Sequence, residues 1–596
     1  SQMGHHEKAL EYLQWVLERD RLDGFESKVA EDELSISNIH AALGQMEKAR
    51  EGFWSVYPSI RESGSSHLEW ALHFGIGHTY EKENPDSAVF HYERALEFLE
   101  RSRAAIGGAE IRTGFLSGEK RHLYEEVARY YASCGKDDKR DYWSGCAFNT
   151  MEKAKARALL DLIETSVLVE SSPEEEALLD SLYRLDAESS DYSEEEQRLK
   201  NQYLKLRDER LAKTFKPLGL KGAVAGIGEV RKSLSRGTVL MEYALGDTTS
   251  LFWVVDRKGH EIYEIPSRSE LRVEVEHLRD ALSRPGPGEN VLRKAARKLY
   301  ETLVLPAESR ISKAKKLVIV PDGVLFEVPF ELLLTKEPEE DEGWENQPYL
   351  VRSYATVYAP SSSVYLKLSR TKERKKYSSD LLAFGDPDFS MLERMHGGEG
   401  AALSRLPHTR AEVLSVGSRI KDERKGIFLG KEASEAKLKE KLRERSSKIV
   451  HLATHGLVNP VDPVSSSIVL CPDSIIGEDG YLHTLEILSL PFDVGLVVAS
   501  ACESARGRVS RGEGVVGLSR AFIAAGARGV VASLWAVSDE STAELMKTFY
   551  ERMLGKKKPA AEAMKDARLA LIDNPRYAHP FYWSAFIVIG TDRSPW

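Results

Sequence analysis

The spacing of apolar residues divides the chain into a helical first part and a strand–helix second part. Up to about residue 165, apolar side chains recur every three or four positions, as Ala88, Tyr92 and Ala95 do. This period predicts amphipathic helices. From about Gly237 onward, short β-branched runs bounded by turn residues alternate with helical segments. We therefore expect a multidomain α plus α/β protein, in which an all-helical region precedes an α/β region with a mostly parallel sheet.

Short stretches within the helical region are similar to one another. The clearest one matches the two helices of a tetratricopeptide hairpin, with one residue fewer in the turn than usual, at Leu72, Gly75, Gly77, Tyr80, Ala88, Tyr92 and Ala95. Weaker matches lie upstream at Ala41, Leu43, Gly44, Ala49 and Phe53, and downstream at Tyr130, Tyr131, Gly135, Tyr142, Ala147 and Phe148. The region resembles three or four degenerate tetratricopeptide repeats. Such repeats stack into a concave surface for a peptide or protein partner; a generic helical bundle is the alternative.

A strongly charged stretch separates the two regions. Residues 151–164 have an amphipathic helical pattern, and residues 173–213 carry leucines at helical spacing among many charged side chains. We interpret residues 173–213 as two long helices that would pack as an antiparallel pair, with their charges facing solvent.

The α/β region has a succession of apolar runs separated by turns and amphipathic segments. The predicted strands are Thr238–Tyr243, Ser250–Val255, Ile262–Ile265, Lys316–Val320, Leu381–Phe384, Gly426–Leu429, Gly529–Trp535 and Phe581–Ile589, with two more ending before His455 and Cys502. The predicted helices include Ser269–Ser283, Val291–Leu303, Arg410–Ile420, Ser434–Glu444, Gly517–Ala525, Thr542–Leu554 and Ala560–Asp573.

Two of these apolar runs end in a turn of small residues that carries a reactive side chain. One run leads to His455 and Gly456, and the other leads to Cys502. Because ligands of open α/β sheets bind beyond the carboxyl ends of the strands, we expect the imidazole and the thiol on one rim. A histidine base can activate a cysteine nucleophile. The backbone N–H groups of Gly456 and Cys502 would form an oxyanion hole for a tetrahedral intermediate.

Composition and charge exclude several classes of protein. The net charge of −10 argues against a general nucleic-acid binder, which would be basic. The apolar runs are far shorter than the roughly 18 residues that a membrane helix needs. The polar N-terminal residues do not resemble a signal peptide. Four cysteines in so long a chain do not form a disulfide framework, so we expect a cytoplasmic protein with reduced thiols.

The motifs around the two reactive residues resemble those of CHAT-domain proteins, in the caspase- and separase-like branch (clan CD) of cysteine peptidases. HLATHG (451–456) precedes ASACES (499–504) in the His-then-Cys order of that clan, and His455 and Cys502 are 47 residues apart. Further matching stretches are VPDGVLFEVPFELL (320–333), AFGDPDF (383–389), GLSRAFIAAGARGVVASLWAVSDE (517–540) and HPFYWSAFIVIG (579–590). The resemblance covers about residues 230 to 596.

The resemblance implies a regulated cysteine endopeptidase with Cys502 as nucleophile and His455 as base, without a metal or cofactor. It implies a protein substrate and a protein activator bound by the repeats; related repeat-bearing members serve bacterial defence. The expected division is residues 3–165 for the repeats, 166–225 for the helical connector, 226–375 for a non-catalytic half and 376–596 for the catalytic half. His451, four residues before His455, is expected to face elsewhere and to be structural.

Acidic residues near the strand ends are candidates for a pocket that binds the substrate side chain before the cut. By comparison with related enzymes these are Asp386, Asp388 and Asp539, with Glu513 as a further candidate. An acidic pocket would favour lysine or arginine. The alternative is that the aspartates cap turns and helices, and Asp539 precedes a helix in a good N-cap context. Arg506, Arg508 and Arg511 suggest a mobile activation loop with self-cleavage points.

Two other functions compete with the peptidase. Residues 512–517 match the G-x-G-x-x-G pattern of dinucleotide-binding proteins, with Asp539 further along. We reject this interpretation because the strand ends near Ser500, so the loop is too long to bring pyrophosphate to the helix N-terminus. The remaining alternative is a catalytically silent binding scaffold, in which Cys502 is a small buried residue and His455 a core histidine.

Overall fold

The computed structural model describes most of the chain. The described residues are 2–105, 119–135, 139–166, 172, 174–175, 177–178, 181, 195, 198–199, 202–203, 205–206, 224–282, 289–338, 342–371, 377–390, 392, 403, 405–444, 446–457, 466–473, 478–490, 493–500, 517–535 and 537–592. They form two compact units, Ser1–Ser133 and Cys134–Trp596.

The first unit is helical throughout its described residues, as the apolar period predicts. Its helices are α1 (Gln2–Leu22), α2 (Glu26–Ala42), α3 (Met46–Ser63), α4 (Ser66–Tyr80), α5 (Pro85–Ala105) and α6 (Glu119–Cys134). Successive helices pack against each other from α1 to α5. The predicted glycines have a packing role: a Cβ on Gly75 would lie 2.3 Å from the Phe53 ring, and a Cβ on Gly77 2.9 Å from the Tyr92 ring. Glycine thus lets the helices approach closely.

The second unit begins with a helix that the sequence analysis assigned to the repeats. Helix α7 (Arg140–Ser166) packs in this unit, where Lys155 Nζ lies 3.3 Å from Glu242 Oε1 in the first strand of the sheet. The predicted connector at residues 166–225 lies mostly outside the described residues. The division at residues 165, 225 and 375 therefore stays a prediction.

The second unit is an α/β structure. Its remaining helices are α8 (Ile227–Ser233), α9 (Arg268–Leu282), α10 (Glu289–Leu303), α11 (Glu308–Ile311), α12 (Leu350–Ser353), α13 (Ser362–Arg370), α14 (Pro407–Gly417), α15 (Glu435–Glu444), α16 (Thr484–Ser489), α17 (Gly517–Ala525), α18 (Asp539–Tyr550), α19 (Ala560–Ile572) and α20 (Pro580–Trp583). Its strands are β1 (Thr238–Ala244), β2 (Ser250–Val255), β3 (His260–Ile265), β4 (Lys316–Val320), β5 (Ala355–Tyr358), β6 (Ser379–Pro387), β7 (Lys425–Gly430), β8 (Ser447–Ala453), β9 (Gly456–Leu457), β10 (Ser467–Val469), β11 (Tyr481–His483), β12 (Val494–Ala499), β13 (Gly529–Ser533) and β14 (Phe586–Gly590).

Eleven of the strands form one continuous sheet. Their order is β3-β2-β1-β4-β5-β14-β13-β12-β8-β6-β7. Strand β14 joins the two predicted halves, because it pairs in parallel with β5 and antiparallel with β13. The carboxyl ends of β6, β8, β12 and β13 therefore share one edge of the sheet, and those of β1, β4, β5 and β14 lie at the opposite edge. The prediction of a mostly parallel sheet is confirmed.

Most predicted strands and helices are found within a few residues of their predicted bounds. The predicted strand at Phe581–Ile589 is wrong at its start, because Phe581 and Tyr582 lie in α20 and the strand begins at Phe586. Strand β5 and helix α13 were not predicted. No helix among the described residues is both long and apolar enough to span a bilayer.

Candidate active site

The two predicted catalytic residues follow neighbouring strands whose pairing is known. Strands β8 and β12 are parallel, and Leu452 pairs with Ala499. His455 lies three residues beyond Leu452, and Cys502 lies three residues beyond Ala499. The described residues that follow β12 end at Ser500, so Cys502 itself lies outside the described residues. The register thus ends both described strands at the same edge of the sheet, one before His455 and the other before the segment that contains Cys502.

A second, three-stranded sheet holds the turn that carries His455. The backbone N–H of Val469 in β10 donates to the carbonyl oxygen of His455 at 2.9 Å, and the Thr454 hydroxyl donates to the Val469 carbonyl. Gly456 in β9 lies opposite Ile468. Because hydrogen-bonded and non-hydrogen-bonded pairs alternate in an antiparallel ladder, the amide of Gly456 points away from β10. The ladder therefore leaves the Gly456 amide for an acceptor outside β10.

The His455 ring is half-buried against an aromatic side chain from the next strand along the edge. Its centroid is 5.4 Å from that of Phe389, and the ring planes are tilted by 44°. Phe389 packs with Leu392 and Val469 in a small buried cluster. The end of β6 and strand β10 therefore fix one side of the imidazole.

Asp386, the first pocket candidate, is buried and is paired with two arginines of the same chain. Arg405 Nε lies 3.0 Å from Asp386 Oδ1, and Arg410 Nε lies 2.8 Å from Asp386 Oδ2. Burial alone would raise the pKa of this carboxyl, but hydrogen bonds from the two guanidinium groups lower it below its ordinary value. Its backbone has a φ of 46°, at an irregularity of β6 between Gly385 and Pro387. A basic substrate side chain would have to replace one of these arginines.

Asp388, the second candidate, binds its own turn. The backbone N–H of Ser390 donates to Asp388 Oδ1 at 3.1 Å, and hydrogen bonds from Ser390 lower the pKa of the Asp388 carboxyl. This contact is of the turn-capping kind that the sequence analysis weighed as an alternative.

Asp539, the third candidate, is the first residue of α18 but does not cap it. Ser538 is the N-cap, and its hydroxyl accepts from the backbone N–H of Ser541 at 3.3 Å. Burial raises the pKa of Asp539; His408 and His455 lower it by their charge, and Glu412 raises it further. Asp539 is thus within electrostatic reach of the predicted base.

The chain matches a known protein family over its second half. The family model for the CHAT domain matches residues 293–591. The chain belongs to the CHAT-domain family. Tetratricopeptide repeat protein 28 of Mus musculus is 26% identical over 356 residues, which is 52% of this chain and 14% of that protein. The human protein of the same name is 25% identical over 342 residues, which is 50% of this chain and 13% of that protein. The chain thus spans a small part of the length of these relatives.

Two solved structures match the chain at low sequence identity. The Saccharomyces cerevisiae separase–securin complex matches with a TM-score of 0.39 at 10% identity, covering 95% of this chain and 50% of that chain. The Arg-specific cysteine proteinase gingipain R matches with a TM-score of 0.32 at 10% identity, covering 51% of this chain and 68% of that chain.

The expectation that His451 of the CHAT domain faces elsewhere stays a prediction, because β8 ends at Ala453, before the turn that carries His455. His451 lies within β8. It is fully buried; its Nδ1 is 2.9 Å from the hydroxyl of Tyr550, and its Nε2 is 3.1 Å from Oε1 of Glu412. The sequence analysis missed Glu412 and His408; their four-residue spacing on α14 was the signal that could have found them.

Arg506, Arg508, Arg511 and Glu513 lie outside the described residues, as does the glycine pattern at 512–517. The third cysteine of the second unit, Cys471, is buried, and burial raises the pKa of its thiol.

One acidic cluster of the CHAT domain has the spacing of a metal site. The carboxylates of Glu435, Glu478 and Glu486 lie close together. Lys439 occupies the centre of this cluster, with its Nζ 2.8 Å from Glu435, 2.6 Å from Glu478 and 2.6 Å from Glu486. The ammonium group already supplies the cation that the three carboxylates need.

Proposed function

We propose that this CHAT-domain protein is a cysteine endopeptidase in which Cys502 attacks the peptide carbonyl and His455 is the base. The observation that supports the proposal is the β8–β12 register, in which Leu452 pairs with Ala499, each three positions before a predicted catalytic residue in the sequence. A thiol of ordinary pKa near 8.5 is only partly ionised at neutral pH, so it needs a base of this kind. His455 would take the thiol proton and later give it to the leaving amine.

Gly456 is the proposed oxyanion-hole donor together with the backbone N–H of Cys502. Its amide points away from β10, so the ladder leaves this N–H group for another acceptor. Two such donors would stabilise the negative oxygen of the tetrahedral intermediate, and removal of one such donor typically costs about 100- to 1,000-fold in kcat.

The proposed specificity is for a basic side chain before the cut, with Asp539 as its main partner. Asp539 is half-buried, and the charge of His455 lowers its pKa, so His455 lies within electrostatic reach; no salt bridge to Asp539 is found among the described residues, whereas Asp386 is neutralised by Arg405 and Arg410. A buried carboxylate whose ionised form lacks a partner gains most from a cation. Asp386, Asp388 and Glu513 are secondary candidates.

We place the protein in the cytoplasm, with the helical repeats holding a protein substrate or activator and a bacterial defence or signalling pathway as its setting. The N-terminal helical unit and the match to tetratricopeptide proteins support a role in protein binding. Regulation is expected because an endopeptidase that is always open would damage its cell. Arg506, Arg508 and Arg511 are the proposed activation-loop residues; an intact chain in fully active enzyme would exclude self-cleavage there.

An activity-based thiol probe tests the chemistry. We expect labelling of the wild-type chain, loss of labelling in Cys502→Ala and strong reduction in His455→Ala. Cys471→Ala is the matched control, because its buried thiol should contribute no labelling. Labelling that survives Cys502→Ala would rule out Cys502 as the nucleophile. Incubation with a proteome, followed by sequencing of new N-termini, would then identify the substrate preference.

The second candidate is a silent binding scaffold, favoured by the helical unit and by the match to tetratricopeptide proteins. It predicts that the probe labels neither the wild-type chain nor any variant above background, while a partner is still retained by the N-terminal unit.

A further inference from the structure

Both ends of strand β11 are held by glutamates. The backbone N–H of Gly480, just before β11, donates to Glu435 Oε2 at 2.9 Å. The backbone N–H of His483, the last residue of β11, donates to Glu486 Oε2 at 2.8 Å. Glu435 is the first residue of α15, and Glu486 lies in α16. Strand β11 is therefore attached to α15 at its start and to α16 at its end.

A single lysine joins the two glutamates. Lys439 on α15 has its Nζ 2.6 Å from Glu486 Oε1 and 2.8 Å from Glu435 Oε1, the second being an ion contact without the alignment of a hydrogen bond. Each glutamate thus uses one oxygen for the ammonium group and the other for the backbone at one end of β11. Burial alone would lower the pKa of Lys439, but the charges of Glu486, Glu435 and Glu478 raise it, so the ammonium group is charged.

Strand β11 supports the turn that carries His455 through its neighbour β10. The two strands pair antiparallel, and the backbone N–H of Leu470, just after β10, donates to the carbonyl oxygen of Gly480 at 2.7 Å. The backbone N–H of Val469 in β10 donates to the carbonyl oxygen of His455 at 2.9 Å. Ion contacts and hydrogen bonds therefore connect the ammonium group of Lys439 to the backbone of His455.

Stability alone does not explain why charges are placed here. The Glu435 side chain is 1% exposed and that of Lys439 is 11% exposed. Removing such groups from water costs several kcal/mol per ion, and apolar residues of similar volume generally stabilise a fold as well or better. Charge-assisted hydrogen bonds add a defined direction that apolar packing lacks. The two glutamates therefore fix the position of β11 rather than merely filling space beside it.

We propose that Lys439 is a positioning residue for His455, which it holds through Glu435, Glu486 and the β10–β11 pair. Its effect is on where the imidazole stands relative to the thiol, and a small displacement of a catalytic group slows the chemical step. The inference rests on the proposed function in taking His455 to be the base. The attachment of the turn to Lys439 can be measured without any cleavage.

The first experiment measures hydrogen exchange at the amide of Val469, which donates to the His455 carbonyl. In Lys439→Met the carboxylates lose their common cation, and we expect this amide to exchange about tenfold faster. Lys155→Met is the matched control, because Lys155 is also buried and paired with a buried glutamate, Glu242, but lies in α7. Its Val469 amide should exchange as in the wild type. Unchanged exchange in Lys439→Met, or equal acceleration in both variants, would overturn the inference.

A variant that conserves side-chain shape covers the case in which Lys439→Met does not fold. Glutamine has one acceptor oxygen where glutamate has two, so in Glu435→Gln/Glu486→Gln neither side chain can join Lys439 to the backbone at β11. Fewer buried charges remain, so we expect this protein to fold. The Val469 amide should again exchange about tenfold faster. Wild-type exchange in the folded double variant would overturn the inference.

The last experiment separates the inference from the proposed function. With the thiol probe, we expect the maximal rate of labelling at Cys502 to fall about tenfold in Lys439→Met, while the probe concentration for half-maximal rate is unchanged. Lys439→Arg keeps the charge and should lose less. A wild-type rate in Lys439→Met would overturn the inference. Faster Val469 exchange in Lys439→Met, in a protein whose wild type shows no Cys502-dependent labelling, supports the attachment of the turn and refutes the proposed function instead.

Discussion

Asp386 and Arg405 form an ion pair in which the carboxylate is buried and the guanidinium group is exposed. The carboxylate side chain is 1% exposed and the arginine 72% exposed, with Nε 3.0 Å from Oδ1. Arg410, which lies on α14, is the second guanidinium partner of the Asp386 carboxylate. Because the arginine is exposed, its side chain can be removed without leaving a cavity. A substitution of this arginine therefore tests the loss of charge without a change in core packing.

Replacing both arginines should destabilise the second unit. In Arg405→Ala/Arg410→Ala the buried carboxylate of Asp386 loses its partners, and we expect the free energy of unfolding to fall, by less than for a fully buried pair because solvent screens the two exposed arginines. Urea denaturation followed by fluorescence measures it. Arg419→Ala, an exposed arginine beyond the end of α14, should change it by less than about 0.5 kcal/mol. A double variant as stable as this control would show that the pairing contributes nothing.

The lowered pKa of Asp386 predicts how the stability of the fold depends on pH. The folded-state pKa of Asp386 is lowered, so its contribution is fully present above the unfolded-state pKa near 3.9. It is lost as the pH falls through the folded-state value. We expect the wild-type chain to lose this contribution only below about pH 4, and Arg405→Ala/Arg410→Ala not to show this acid loss. Parallel acid-limb profiles in the two proteins would contradict the assignment.

Asp539→Asn should stabilise the fold while weakening the proposed activity. The pKa of Asp539 is raised, so its ionised form is disfavoured in the folded state, and stability is lost as the pH rises through the unfolded and then the folded value. The variant should therefore have a higher Tm than the wild type at pH 7 and an equal one at pH 4. Cleavage after arginine should fall at least tenfold. A Tm of Asp539→Asn below that of the wild type at pH 7 would contradict the raised pKa of Asp539.

Gly75→Ala should destabilise the helical unit despite the better helix propensity of alanine. The new Cβ would lie 2.3 Å from the Phe53 ring, which is fully buried. We expect a loss of about 1–3 kcal/mol, measured by hydrogen exchange of α3 and α4. Gly228→Ala in α8 meets nothing within 4 Å and serves as the control. Unchanged protection in α3 would show that the helices separate easily.

The sequence predicted those elements whose apolar pattern is long and bounded by turns. Strands β2 and β4 and helix α17 have their predicted bounds, because their buried runs end at glycine, proline or charged residues. Strand β5 has only four residues and so no period to detect. The start of β14 was placed too early because Phe581 and Tyr582 are aromatic residues that favour strands, although Pro580 at the first position of α20 favours a helix.

The candidate site was predictable only where local sequence sufficed. The strand-and-turn pattern gives His455 and Gly456 their places at the edge, because a buried strand followed by a small-residue turn is a local feature. The arginine partners of Asp386 and the carboxylate neighbour of Asp539 come from α14, which is near them only through tertiary packing. An aspartate in a sequence does not reveal whether its charge is already neutralised.

The position of β14 has a consequence for the order in which the molecule can be assembled. This strand, Phe586–Gly590, lies between β5 and β13 although it follows both of them in the chain. Until Phe586 has been synthesised, the strands on either side of β14 can form only two partial sheets. Each partial sheet then has an unpaired edge strand, and unpaired edge strands promote aggregation. The two halves join only when this strand is inserted, so synthesis itself delays the single sheet until almost all of the described chain has been made.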